Sequence, residues 1–526
     1  MRAGGIGAIS RTVSNSRIGA APSRRSMRVM TGGTVPGKAA ADAAIGARAQ
    51  YAAAACGKNR KANPVHVCPP ASPGKRDPDG RSRAAGPLAC CHPTPAARSV
   101  MVDIHTVWPY FAILLACLGL AALPAFRGAD AAGGSGRRTD TLDGLRGFLA
   151  LGVFAVHAVV HYDYLLSGVW KPSSARFYNV AAVISVALFF MLTGFLFWNK
   201  LLKAGGRPDW KALYIGRVFR LGPMYVAVVA TMIAIVAYRT GFQWRQPPLQ
   251  VIGQALAWLA LGILPPPPAI NGYADTGTIL AGVTWTLLFE WLFYFSLPLW
   301  ALFVRRGRHL AFSAGVVAAC LLVILAGTWN GGFVPGVKPR PALLLAVLAE
   351  LIATLATGML VASLLHERIG ERLRLHEARW GALALLAIAL AFAAMLGARD
   401  VGMLQLLAFC PLLGTFLFVL CSGNDLFGAL SWPASRRLSA MSYSIYLAQG
   451  LALVAVFAIP GVKAYALSGT LPFWIVNIGC ALALCAASLL TYRYIEEPGI
   501  RAGKRLTERL RARRDAVAPL AVAADS

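Results

Sequence analysis

Long runs without charge constrain this chain more than any other feature. Between Val107 and Tyr494, apolar stretches alternate with short polar loops, and the stretches run to about 17–25 residues, the length that crosses a hydrocarbon core of roughly 30 Å. In lipid each backbone N–H and C=O must find its partner inside the protein, so only helices and closed barrels span. These runs lack the strict alternation of a barrel strand. The chain is therefore expected to be all-α and polytopic, with ten core transmembrane helices plus one extra N-terminal span. Composition agrees: 57% of residues are apolar and 14% charged, where a soluble domain carries roughly 25% charged.

The formal net charge of +29 would suit a nucleic-acid binder, but its placement excludes that class of partner. The cations sit in the two tails and in short loops, as orientation in a bilayer requires. A first span, Val107 to Phe126, is followed by Arg127, Arg137, Arg138 and Arg146, which places that loop in the cytoplasm. Leu142–Tyr162, Tyr178–Leu201 and Leu221–Tyr238 then alternate around a loop carrying Lys200, Lys203, Arg207, Lys211, Arg217 and Arg220. The stretch Leu249–Leu264 runs into Pro265 to Pro268; if it crossed, Arg305, Arg306 and Arg308 would lie outside, so it reads as re-entrant or interfacial. Val283–Val304 returns inward, and spans at about 310–327, 341–365, 380–397, 401–421, 438–458 and 473–494 follow. Arg368, Arg372, Arg374, Arg379, Arg436 and Arg437 fall in inside loops, and the C-terminus is cytoplasmic.

Residues 1–103 form a basic tail of low complexity. Three readings are open: disorder, a transit peptide, or a segment that is not translated because Met101 opens a start ahead of the first span. Residues 104–139 make the extra helix and its linker, 140–498 the membrane domain, and 499–526 a basic cytoplasmic tail expected to lie as a solvated helix on anionic headgroups. The ten cysteines show neither metal-ligand spacing nor a disulfide framework. No bound metal or cofactor is expected.

An ionisable group inside a membrane costs several kcal/mol unless it meets a cavity or a partner, which makes each one a functional candidate. In Leu142-Asp-Gly-Leu-Arg-Gly-Phe, Asp143 and Arg146 stand at the cytoplasmic mouth, and His157 lies deeper. Eleven helical residues turn about 20° past three full turns, so Arg146 and His157 share a face about 16 Å apart along the axis. A guanidinium at the mouth suits a phosphate-bearing ligand, and a neutral imidazole can take a proton from a hydroxyl. The plainer readings are a topology anchor and a packing histidine. Arg217 and Arg220, three apart, share a helix face at the membrane surface; they too can be read as anchors. In Trp285-Thr-Leu-Leu-Phe-Glu290-Trp-Leu-Phe-Tyr294, one carboxylate enters an aromatic span with no basic partner on its own helix. It needs a partner from elsewhere, with Arg146, Arg220 or His157 as candidates. His157 and His161, four apart, resemble half a metal site, but no third ligand except Asp163 is near.

Together these segments resemble the acyltransferase-3 family of bacterial membrane O-acyltransferases over most of residues 140–500. The Leu-Asp-Gly-Leu-Arg-Gly opening with His157 is similar to the family's arginine–histidine signature, and Phe189-Phe-Met-Leu-Thr-Gly-Phe195 to its Phe-Phe-x-Leu-Ser-Gly-Phe. The Arg217/Arg220/Pro223 segment, the Trp285…Glu290…Tyr294 span, Ser442-Tyr-Ser-Ile-Tyr-Leu447 and Tyr492-Arg-Tyr-Ile-Glu-Glu-Pro498 resemble its remaining motifs. In one respect the chain departs: a histidine usually stands where this sequence has Gln449. The resemblance implies transfer of an acyl group, acetyl foremost, from cytoplasmic acyl-CoA to a hydroxyl of a carbohydrate or glycolipid acceptor, in the bacterial inner membrane. On that reading Arg146, Arg217 and Arg220 bind the donor, His157 is the general base, and Glu290 holds His157 in its tautomer or positions the acceptor. Asp143, Trp285, Tyr294 and Tyr443 support them. The rival is a secondary transporter with Arg146, His157 and Glu290 as a proton or substrate relay, although no repeated halves are visible.

Overall fold

The computed structural model describes residues 102–129, 137–264, 268–329, 341–397 and 403–524. The readings made for residues 1–101 lie outside the described residues. Within them the fold is helical throughout, with no strands beyond one isolated bridge between Ile270 and Tyr273. Eight helices among the described residues are long and apolar enough to cross a bilayer, or nine if one bent pair counts as a single span.

Helix α1, Trp108–Ala122, is the extra N-terminal element. It does not hang beside the bundle. Val102 and Ile104 ahead of it are buried, and the Asp103 N–H donates to Thr470 Oγ1 at 2.8 Å. Residues 102–104, within and next to the segment read as a tail, therefore pack against the bundle. At its other end the guanidinium of Arg437 donates to the carbonyls of Ala121 and Ala122, at 3.0 and 3.4 Å. Those carbonyls close a helix and lack partners within it. Arg437 is buried; it caps a helix end and is not merely a surface anchor.

The bundle is built from α2 (Arg137–Ser167), α3 (Arg176–Lys203), α4 (Trp210–Arg239), the short α5 (Pro248–Leu259), α6 (Trp285–Arg305), α7 (His309–Trp329), α8 (Pro341–His366), α9 (Arg379–Gly397) and α10 (Met403–Cys421). After α10 come α11 (Pro433–Ala440), α12 (Ser442–Phe457), α13 (Thr470–Thr491) and α14 (Glu497–Ala524). Helix α5 has 12 residues, about 18 Å of rise, too short to span. It leads into the turn Ala274–Leu280 that folds back into the bundle, as a re-entrant segment does. Helices α11 and α12 meet at a bend of 64°.

Glycines in the sequence motifs let helices approach backbone to backbone, the packing that membranes favour. A Cβ at Gly194 would strike the Leu355 carbonyl, and one at Gly358 would strike the Met191 carbonyl, so α3 and α8 touch through a reciprocal pair. Gly144 and Gly147 do the same for α2, against Leu430 and Leu438.

Two expectations change. The Arg217/Arg220/Pro223 segment is not the end of a loop but the opening turns of α4, with Asp209 capping the helix by accepting from the Ala212 N–H at 2.9 Å. The C-terminal segment is not a free solvated helix either. Gly499 and Gly503 of α14 lie against Phe219 and Pro223 of α4, and Arg511 pairs with Asp209 at 2.9 Å.

Candidate active site

Two helices bring the three arginines together. Arg146 from α2 and Arg217 and Arg220 from α4 line one cavity with Glu290 and Tyr294 of α6, Tyr443 of α12 and Thr193 of α3. It encloses about 800 Å³. Asp143 is exposed at the mouth, one turn before Arg146, and is one of its charged neighbours. Glu290 sits within range of all three guanidinium groups, and the Tyr294 hydroxyl donates to its Oε2 at 3.0 Å. Residues four apart on a helix share a face, which explains why Glu290 and Tyr294 act as a pair. Arg217 lies over the Phe197 ring at 4.6 Å and near the Tyr294 ring at 5.9 Å. Such stacking holds a guanidinium in place. Tyr443 donates to the Leu221 carbonyl at 2.9 Å, and Tyr214 to that of Tyr294 at 3.0 Å, tying the cavity's helices together.

Arg220 has a partner for which the sequence supplied only a motif. Glu496, fully buried, stands 3.7 Å from it, and Ser444 donates to the same carboxylate at 3.1 Å. The last span widens into a π-turn over Tyr492–Glu496. Such turns insert one residue and re-aim a side chain, often at functional sites.

His157 lines a second cavity, of about 780 Å³, with Trp285, Val283, Thr354 and Glu350. The two cavities share Val186, Phe190 and Tyr446 as walls. Arg146 and His157 thus both face the interior of the bundle, one chamber apart. Glu290 lines the arginine cavity and not the His157 chamber. Glu290 pairs with Tyr294 and not with His157, and the side chain nearest for hydrogen bonding to His157 is Gln449, although no bond between them is closed. Trp285 and Glu290, five residues and hence about 140° apart around the helix, serve different chambers.

Glu350 and Trp170 are the residues that sequence reasoning missed. Glu350 is buried on α8 and is the one acidic residue of that helix; the argument that singled out Glu290 applies to it equally. Trp170 lies in the connection after α2, its ring stacked on His157 at 6.2 Å and 30° and edge-on to His161 at 6.3 Å. Nothing in a loop tryptophan's sequence context announces such a role.

Beyond Trp170 a third cavity of about 1440 Å³ opens, lined by His161, Tyr164, Trp170, Tyr238, Tyr273, Arg239 and Lys463 among others. Along α2 the series runs from Arg146 through His157 to Tyr164. That is 18 residues of helix, about 27 Å, close to the thickness of the hydrocarbon core. Among the described residues no three His, Cys, Asp or Glu side chains are grouped so as to hold a metal ion.

The comparisons with known proteins point the same way. The acyltransferase MdmB of Streptomyces mycarofaciens is 28% identical over 193 residues, 36% of this chain and 46% of that protein's length. The matched part therefore spans about half of that relative. No solved structure is significantly similar. Residues 140–492 match the profile of the family described as the acyltransferase domain, which accounts for most of the chain and for every motif that lines the first two cavities. The chain belongs to the acyltransferase-3 family of membrane proteins.

Proposed function

We propose that this protein is a membrane O-acyltransferase that moves an acetyl or similar acyl group from acyl-CoA, entering at the cytoplasmic face, to a hydroxyl of a carbohydrate acceptor. The observation that carries the reading is the convergence of Arg146, Arg217 and Arg220 on a cavity that adjoins the chamber of His157. Guanidinium forks bind phosphate oxygens in pairs, and coenzyme A carries such groups at one end and its thioester at the other. With the phosphates held by the arginines, the thioester extends towards His157.

The chemistry then needs a base and a leaving group. The acceptor oxygen attacks the thioester carbonyl as the His157 imidazole takes its proton. The C–S bond breaks, and the imidazolium returns the proton to the departing thiolate, so that free CoA leaves and the ester remains. Glu290, placed among three cations, balances their charge when the donor is absent and limits their mutual repulsion. Glu350 faces the same chamber as His157 and can orient the acceptor hydroxyl.

The outer cavity supports a sugar acceptor. Tyr164, Trp170, Tyr238 and Tyr273 present aromatic surfaces there, and such faces stack on the apolar faces of sugar rings as they do on other flat ligands. The transporter reading has no observation of its own in this architecture. The test is turnover in purified membranes with acetyl-CoA labelled in the acetyl group. Label moving into glycan or glycolipid, with release of CoA, supports the reading. Membranes in which the protein is folded yet neither CoA release nor labelled product appears would overturn it.

A further inference from the structure

The amide of Gln449 and the imidazole of His157 leave matching gaps. Gln449 is fully buried on α12, and its Nε2 donates to the Tyr446 carbonyl at 2.7 Å. That carbonyl can only accept, so the amide cannot be turned the other way round without setting oxygen against oxygen. The Gln449 oxygen is thereby aimed away from its own helix turn. Gln449 Oε1 is buried and closes no hydrogen bond, and neither does the buried His157 Nδ1. Gln449 is the side chain within hydrogen-bonding reach of His157, with no bond between them closed. One lone acceptor and one imidazole nitrogen, each enclosed, satisfy each other if the nitrogen carries the proton.

We propose that Gln449 is the positioning residue that sets the tautomer of His157, keeping the proton on Nδ1 and leaving Nε2 bare towards the chamber. The proposal rests on the reading of His157 as general base. It also gives a meaning to the residue that stands where the family usually has histidine. In any base built on histidine, the hydrogen bond made by one ring nitrogen decides which nitrogen does the work. An amide does this without adding charge. It orients the ring and holds one tautomer, and Trp170 stacked on the ring at 6.2 Å limits its tilt. The proton of the acceptor hydroxyl then has one destination, Nε2, and the imidazolium formed has both nitrogens protonated, with Nδ1–H still donating to Gln449.

The tautomer can be read directly. In protein labelled with 15N-histidine and reconstituted in lipid, the His157 signals are assigned by difference against His157→Asn. The expected spectrum has a protonated Nδ1 and an unprotonated Nε2, and in Gln449→Leu it changes to a mixture of both tautomers. In turnover assays Gln449→Leu should lower kcat about 10- to 100-fold, the usual loss when a residue that orients a working histidine is removed, with KM for acetyl-CoA within about twofold of the parent. Gln449→His again offers one N–H and one acceptor nitrogen and should recover most of the lost kcat. A parent protein with the proton on Nε2, or a Gln449→Leu spectrum identical to the parent's, overturns the proposal. If Gln449→Leu fails to fold, the parent spectrum decides alone. A tautomer change in Gln449→Leu with kcat unaltered would uphold the positioning and overturn His157 as the base, so the two failures are distinguishable.

Discussion

Two arginines of the inner cavity, Arg217 and Arg220, are held by different devices, and the devices predict different losses. Arg217 lies over the Phe197 ring and near that of Tyr294, so Arg217→Lys keeps the charge but loses both the fork and the ring contact. A hydrogen bond to a charged group is worth about 1.5–3 kcal/mol, and we expect KM for acetyl-CoA to rise roughly 10-fold or more with kcat less affected. Steady-state kinetics on the solubilised enzyme checks this. Arg220 leans on Glu496, and Glu496→Gln removes the ionic half of that contact while keeping the Ser444 bond. The expected result is a smaller rise in donor KM than for Arg217→Lys. His157→Ala should lower kcat by about 10²–10⁴ and leave acetyl-CoA binding, measured by calorimetry, near the parent value. The residue types were legible in the sequence because charge in an apolar run is conspicuous. Their partners were legible only in part. Arg146 and Arg220 stand near Glu290 as the sequence allowed, whereas its bond to Tyr294 and the nearness of Gln449 to His157 were not foreseen.

At the scale of helices, small residues set how closely the elements that carry the site can approach. Gly194 and Gly358 meet across the α3–α8 crossing with no room for a Cβ. Overpacking a close contact costs about 1–3 kcal/mol, so Gly358→Val is expected to lower the midpoint of thermal unfolding in detergent. Activity should fall with it, because α3 carries Thr193 and α8 carries Glu350. A Gly358→Val protein as stable as the parent would show that the two helices can part without harm. The same crossing explains the Phe-Phe-Met-Leu-Thr-Gly-Phe motif as packing first, with Thr193 reaching the cavity one residue before the glycine. Charge-free runs located the spans, but the first turns of α4 were assigned to a loop, and the packing of α14 against α4 was not foreseen. Arginine-rich turns resemble loops when only polarity is weighed. What makes them helical is contact: Asp209 caps one, and the glycines of α14 let its backbone rest on Phe219.

For the whole molecule, the decisive feature is the alignment of three cavities along α2, from Arg146 at one face to Tyr164, Arg239 and Lys463 at the other. On the proposed function, one histidine then serves both ends of the bundle, with Trp170 between the chamber and the outer cavity. If the charge rule has set the orientation correctly, Glu508→Cys is labelled by an impermeant maleimide only after the cells are opened, while Lys463→Cys is labelled in intact cells. Reversed labelling would place the arginine cavity outside and remove its access to cytoplasmic CoA. The extra helix α1 belongs to this unit. Its C-terminal carbonyls are capped by Arg437, and Arg437→Gln should therefore loosen α1, raising its susceptibility to proteolysis near Ala122.

The sequence by itself determined the class of fold and the inventory of costly polar groups, because lipid penalises unpaired backbone and buried charge wherever they stand in three dimensions. Such penalties can be read one segment at a time. Which groups share a cavity was decided only by tertiary structure. Arg146 and His157 were predictably on one face, yet the α6 carboxylate joined the arginines and not the imidazole, Glu496 reached Arg220 from the far end of the chain, and a loop tryptophan covered His157. Those outcomes depend on how glycines and a π-turn set the spacing and rotation of helices distant in sequence, quantities that no single segment carries.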